Sequence, residues 1–168
     1  MTPVRIAAWN CCGGGTNKLP VLLERLEPDI AVLPEFATHP LRPDLFSGTS
    51  LLSAGTAGRK GVVVASFGGW KAAVSDLPGP FPLTLLPVEV DGPRSFRLLA
   101  VWANLAPPPK QHPVVEFAER HPDWFEEPVV VAGDFNTSGI TKSRNGGSCA
   151  TGRRSGGLGA RPASGRGP

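Results

Sequence analysis

Residues 138–168 contain no acidic residue and no aromatic one, and nowhere in the 168-residue chain is there an apolar run long enough to span a bilayer. No positively charged stretch followed by an apolar run opens the sequence, so neither a secretory leader nor a membrane helix is expected and the expected location is the cytoplasm. Cys11, Cys12 and Cys149 form no Cys-x-x-Cys pair, and adjacent cysteines bond to each other only with strain. Small buried thiols in a reducing compartment are the expectation for the first two. There is no Gly-x-Ser-x-Gly elbow, which removes the commonest serine hydrolase. Gly13 to Lys18 lacks the Gly-Lys-Ser/Thr ending of a nucleotide-binding phosphate loop.

What is present is 40% hydrophobic sequence with a mean hydropathy of −0.04, enough for one globular domain with a core. The formal net charge of +3 is unevenly placed. Residues 1–137 hold 11 Lys and Arg against 14 Asp and Glu, a net of −3, while residues 138–168 hold six basic residues. All the basicity is in the tail.

Apolar periodicity then sets out the elements. Val4, Ile6 and Ala8 alternate on one face of a strand ending at Asn10. After a Gly-rich turn, Leu19, Leu22, Leu23 and Leu26 fall at helical spacing, with Thr16 or Asn17 as the cap and Pro20 in the first turn. Pro28-Asp29 ends that helix, and Ile30 to Glu35 reads as a second buried strand, completing a β-α-β unit. Residues 37–59 read as loop, and Gly61 to Ser66 as a third strand. Trp70 to Val74 follows, and Asp91-Gly92-Pro93-Arg94 makes a hairpin of Leu85–Val90 with Ser95–Ala103. Pro113 opens a helix carrying Val114, Phe117 and His121. Pro128 to Ala132 is an apolar β-branched run, read as a buried strand, that stops at Gly133-Asp134-Phe135-Asn136. His39, His112 and His121 are expected to be structural or solvent-facing.

Asn10, Glu35 and the Asp134/Asn136 pair each end a separate strand. Strands joined by a crossover connection lie parallel, so these side chains are expected at one edge of the sheet. A carboxylate, amides and a second carboxylate gathered there suit a hard-cation site acting on a phosphate.

Ile6-Ala7-Ala8-Trp9-Asn10-Cys11, the Leu19–Leu26 helix, Pro28-Asp29-Ile30-Ala31-Val32-Leu33-Pro34-Glu35, Lys60-Gly61-Val62-Val63-Val64 and Gly133-Asp134-Phe135-Asn136 together resemble the endonuclease/exonuclease/phosphatase superfamily. That superfamily includes exonuclease III-like abasic-site endonucleases, DNase I, neutral sphingomyelinases and inositol polyphosphate 5-phosphatases. The resemblance covers residues 4 to 137. It implies a metal-dependent phosphoester hydrolase, a nuclease or a phosphatase, using Mg²⁺ or Mn²⁺ on a phosphoester substrate such as DNA or RNA. It also implies roles. Glu35 and Asn10 match the metal-binding positions, Asn10 and Asn136 the phosphate-binding ones, and Asp134 and Asn136 catalytic ones. Pro34 stands where the family more often has Gln, and Asn104 where many members carry a His, so Asn104 can donate a hydrogen bond but supplies neither proton nor charge.

The late Ser-Asp-His of the family, with its catalytic histidine and aspartate, does not occur in this sequence. The implied domain is 1–137, followed by a Gly/Arg-rich tail, 138–168, whose nine glycines and lack of apolar periodicity read as disorder. The abrupt change reads as truncation or a frame shift, and the expected activity is impaired. The implied fold is α/β, the N-terminal part of a four-layer α/β/β/α sandwich of the DNase I type. In it a mixed sheet lacks most of its partner sheet and can self-associate through the uncovered face. The alternative reading is a noncatalytic nucleic-acid binder in which Arg153, Arg154, Arg161 and Arg166 form a basic arm.

Overall fold

In a computed structural model of the chain, residues 3–37, 48–55, 59–78, 81–82, 84–103 and 112–136 are described, residues 15–17 by their backbone alone. Asn104 and the tail from residue 137 lie outside them. Two four-stranded sheets form. In the first, β1 (Ile6–Ala8), β2 (Ile30–Ala37), β4 (Lys60–Ser66) and β3 (Ser50–Gly55) lie in that spatial order. The second runs β5 (Lys71–Val74), β6 (Leu85–Asp91), β7 (Phe96–Trp102), β8 (Val129–Asp134). Each is mixed: β1 pairs parallel with β2 and β7 parallel with β8, while the other neighbours are antiparallel.

Alternation along the strands explains the layering. Ile30 and Val32 of β2 and Val62 and Val64 of β4 point inward and pack on Val88, Val90, Leu98 and Ala100 of the second sheet. The residues between them, Ala31, Leu33, Val63 and Ala65, point outward onto Leu19 and Leu22 of α1 (Gly15–Leu26). On the far side, Leu85, Leu99 and Val101 bury Phe117 of α2 (Pro113–Arg120) and Trp124 of the 3-10 turn Pro122–Phe125. Strands covered on both faces need apolar residues at every position, and this accounts for the unbroken runs at 30–33 and 62–65. The result is a four-layer α/β/β/α sandwich.

The missing partner sheet is therefore a correction: residues 71–134 build it. The chain crosses between sheets at Phe67–Trp70, where Gly68 takes φ +63° and Trp70 donates to the Phe67 carbonyl at 3.2 Å. Trp70 is buried edge-on to Phe96 between the sheets, with centroids 5.9 Å apart. Apolar alternation identifies an inward face, but it does not say which sheet a strand joins, so the sequence pattern of β5–β7 fits a single mixed sheet equally well.

Four local expectations also change. Residues 37–59 include β3, whose half-buried Leu51 and Leu52 pair with Ala65 and Val64. The α1 helix starts at Gly15, so Thr16 and Asn17 lie inside it and Pro20 is interior rather than in the first turn. Cys11 is buried as expected, whereas Cys12 is half-buried at φ 48°. And β8 is an edge strand, paired among the described residues only with β7, so Val129 and Val130 are half-buried and Val131 is 36% exposed. Among the described residues no helix is long and apolar enough to cross a membrane.

Gly133 is fixed by space and backbone together. Its φ is +140°, and a Cβ there would lie 2.0 Å from the Val101 carbonyl oxygen across the β7–β8 ladder. Gly133→Ala is expected to destabilise the chain by at least about 2 kcal/mol, read from urea unfolding. A midpoint equal to that of the parent chain contradicts this packing.

Candidate active site

The C-terminal ends of β1, β2, β7 and β8 meet at one end of the sandwich, because each parallel pair is joined by a crossover through a helix, α1 in one sheet and α2 in the other. The β1–β2 ladder continues past Ala8, with Trp9 N–H on the Val32 carbonyl (3.0 Å) and Cys11 N–H on the Pro34 carbonyl (2.8 Å). This sets Asn10 beside the end of β2.

Glu35 sits on a β-bulge. Pro34 pairs with Val62 and Phe36 with Gly61, so Glu35 is the extra residue between them, at φ 54°. A bulge re-aims the side chain it carries. Pro34 has no N–H to give the ladder, and placing it at the irregularity puts the missing donor where pairing is already interrupted. The turn after β8 has the same character: Asn136 adopts φ 46°, a conformation Asn tolerates better than most residues.

These turns deliver three side chains to one point. The Asn10 carboxamide nitrogen donates to Glu35 Oε1 at 3.0 Å and to Asp134 Oδ2 at 2.6 Å. Its oxygen accepts from Cys12 N–H at 2.8 Å, which fixes the orientation of the amide, since the reversed one would set oxygen against carboxylates. Lys60 Nζ bonds Glu35 Oε2 at 2.6 Å. Lys18 Nζ is held close by the Cys11 carbonyl at 2.9 Å. Asn136 stands beside this group rather than in it: its N–H donates to Asp134 Oδ1 (3.1 Å), and its side-chain nitrogen to the Ala103 carbonyl (2.9 Å). Asn104, next to Ala103, is outside the described residues.

Burial works against the charge of Glu35, but hydrogen bonds from Lys60 and Asn10 and the positive charges of Lys60 and Lys18 outweigh it. The carboxyl is held below its ordinary value of 4.5 and is ionised at neutral pH. Burial pushes the Cys11 thiol the other way, to about 11, with Lys18 pulling it down and Glu35 adding to the rise. Cys11 is thus a neutral packing group, not a nucleophile.

With this geometry in hand, a family model matches residues 7–164: that of the Endonuclease/Exonuclease/phosphatase family. The chain belongs to this family. Among solved structures it is similar to the endonuclease domain of TRAS1, a telomere-specific non-LTR retrotransposon, at 16% identity and a TM-score of 0.61 over 79% of this chain and 60% of that one. It is also similar to the human Nocturnin catalytic domain with bound sulfate, at 14% identity and a TM-score of 0.49 over 80% of this chain and 65% of that one. The chain thus spans less than two thirds of each neighbour's length. No curated protein matches the sequence. The first neighbour carries the sandwich fold.

Sequence reasoning quoted Lys60 without giving it a role. The signal was available in the antiparallel pairing, because β4 begins where β2 ends, and Lys60 lies opposite Ala37, two residues from Glu35. A carboxyl with a depressed pKa stabilises the folded chain above its unfolded value, and that contribution is lost as pH falls through the folded value. The stability gap between the parent and Glu35→Gln is therefore expected to be greatest near pH 6 and to shrink as pH drops below 4.5. An ion pair this exposed contributes about 1 kcal/mol or less. Urea unfolding at a series of pH values reads the gap, and a gap independent of pH contradicts the assigned contacts.

Proposed function

We propose that the chain is a divalent-cation-dependent phosphoester hydrolase whose reacting centre is the junction of Asn10, Glu35 and Asp134. The single observation that carries this reading is the Asn10 amide bonded at once to Glu35 and to Asp134, carboxylates from two different sheets. Family membership supports the reaction class. Among the described residues no group of three or more His, Cys, Asp and Glu is gathered for a metal, so the fit of a cation rests on the donor set itself. It consists of hard oxygen donors, with Glu35 ionised and already in contact with a cation, the Lys60 ammonium. That suits Mg²⁺ or Mn²⁺, which take few protein carboxylates and keep several waters. Glu35 would hold the cation, and the cation would supply positive charge to the phosphoryl oxygens as negative charge grows there.

The chain's own groups do the rest. Asp134 accepts hydrogen bonds on both carboxylate oxygens, from Asn10 and from the Asn136 N–H, and is thereby oriented to hold a water and take its proton. Asn10 bridges the two carboxylates, and Asn136 orients Asp134 alone. The Lys60 ammonium, bonded to Glu35, has charge to offer a phosphate oxygen.

The proposed activity is slow. His112 and His121 are both engaged elsewhere, the first on the Phe135 carbonyl and the second among the rings of Phe81 and Phe117. Among the described residues no imidazole bonds to Asn10, Glu35 or Asp134. A positioned acid or base is worth about 10²- to 10⁴-fold and a transition-state donor about 10²- to 10³-fold. The expected rate is lower than that of a relative with such a histidine by at least about three orders of magnitude.

A panel of phosphodiesters and phosphomonoesters, DNA and RNA among them, assayed with Mg²⁺ and Mn²⁺ tests the proposal. Slow, cation-dependent hydrolysis is expected, reduced at least about 10²-fold by Asp134→Ala. Undiminished activity in Asp134→Ala counts against the reacting centre, and turnover near about one per second counts against the slow-catalyst reading.

A further inference from the structure

We propose that His112 is a positioning residue for the Asp134–Asn136 turn, tying that turn to the start of α2 through a single tautomer of its ring. The inference rests on the reading of Asp134 and Asn136 as the groups that face water and phosphate.

Both ring nitrogens have partners whose roles are fixed. His112 Nδ1 faces the Val114 N–H at 3.3 Å, and a backbone N–H can only donate, so Nδ1 carries no proton. The proton of the neutral ring is then on Nε2, which faces the Phe135 carbonyl at 3.1 Å, a group that can only accept. The ring also lies nearly parallel to that of Phe135, with centroids 6.3 Å apart and planes 20° from each other. His112 is the N-cap of α2, at φ −64° and ψ 133°. Asn, Asp and Ser cap helices better than His does. Capping alone does not account for an imidazole here, whereas its reach to Phe135 does.

Phe135 is the residue between Asp134 and Asn136. Apart from the Asn10 bond to Asp134 and the Asn136 N–H on Asp134 Oδ1, their ties run to Ala103, just past β7, where the Asp134 backbone carbonyl accepts from Ala103 N–H at 2.8 Å and the Asn136 side chain donates to the Ala103 carbonyl. The turn follows an edge strand and includes Asn136 in the left-handed region. The His112 bond adds a tie from a second element, the helix of the β7–β8 crossover.

Two substitutions separate capping from tethering. His112→Asn keeps a good cap but is too short to reach Phe135, while His112→Gln carries a donor at about the reach of Nε2. The full chain is used, with Mn²⁺-supported hydrolysis of bis(p-nitrophenyl) phosphate, hydrogen exchange and ¹⁵N spectra of the ring as readouts. The parent is expected to show a protonated Nε2 and a bare Nδ1. In His112→Asn the Asn136 amide is expected to exchange about five- to tenfold faster. Its kcat is expected to fall about 10- to 10²-fold with little change in KM. His112→Gln is expected to recover most of both. A proton on Nδ1, or unchanged Asn136 exchange in His112→Asn, overturns the proposal. If no variant, the parent included, hydrolyses the ester, the reading of the site fails, and the tautomer and exchange results still decide the role of His112.

Discussion

The arrangement depends on one carboxamide. Asn10 places its two N–H groups on two carboxylates that come from different sheets, Glu35 and Asp134, at 3.0 and 2.6 Å. Like charges brought together repel, and the carboxamide between them answers both with donors. A charge-assisted hydrogen bond is worth about 1.5–3 kcal/mol, enough to orient each carboxylate. Lys60 offsets part of the remaining charge from the side of Glu35. The cluster therefore gathers two carboxylates, that of Glu35 held ionised, at one end of the sandwich.

That cluster requires backbone conformations that regular strands do not supply. Cys12, Glu35 and Asn136 are non-glycine residues with positive φ, and all three lie in the segments that carry Asn10, Glu35 and Asp134. Such conformations cost about 1–3 kcal/mol each and persist where the surroundings enforce them. Here the enforcement is visible. Glu35 is pinned by the Gly13 N–H on its carbonyl (2.8 Å) and by Lys60, Cys12 by the Asn10 side chain, and Asn136 by Asp134 and Ala103. The remaining described non-glycine residue with positive φ, Glu27, is the C-cap of α1, so three of the four gather around the Asn10 cluster.

Much of this was legible in the residues. Apolar runs mark seven of the eight strands and both α-helices among the described residues, and the rule that crossover-linked strands lie parallel brings Asn10 to Glu35. The meeting of that pair with Asp134 needed more, because it depends on two sheets stacking so that two crossovers open at the same end. Periodicity assigns a face to a strand and not a partner, so the second sheet was misread as an extension of the first. β3 was hidden by its composition: Ser50-Leu51-Leu52-Ser53-Ala54-Gly55 has no β-branched residue, and its pairing is dictated by β4. The exposure of β8 was equally hidden, because an apolar run looks the same in a central strand and at an edge. His112 lies beside a proline-rich stretch, and only the packing of α2 on the end of β8 adds the Phe135 carbonyl to its local capping partner, the Val114 N–H.

The most direct test of the account is whether a divalent ion meets the chain at this junction. Substoichiometric Mn²⁺ added to the ¹⁵N-labelled chain broadens amide signals near the bound ion. The account predicts selective broadening of Asn10, Cys12, Glu35 and Asp134 together, residues from both sheets, and its loss in Glu35→Gln. Broadening confined to other acidic surface positions, or spread evenly over the chain, would contradict it.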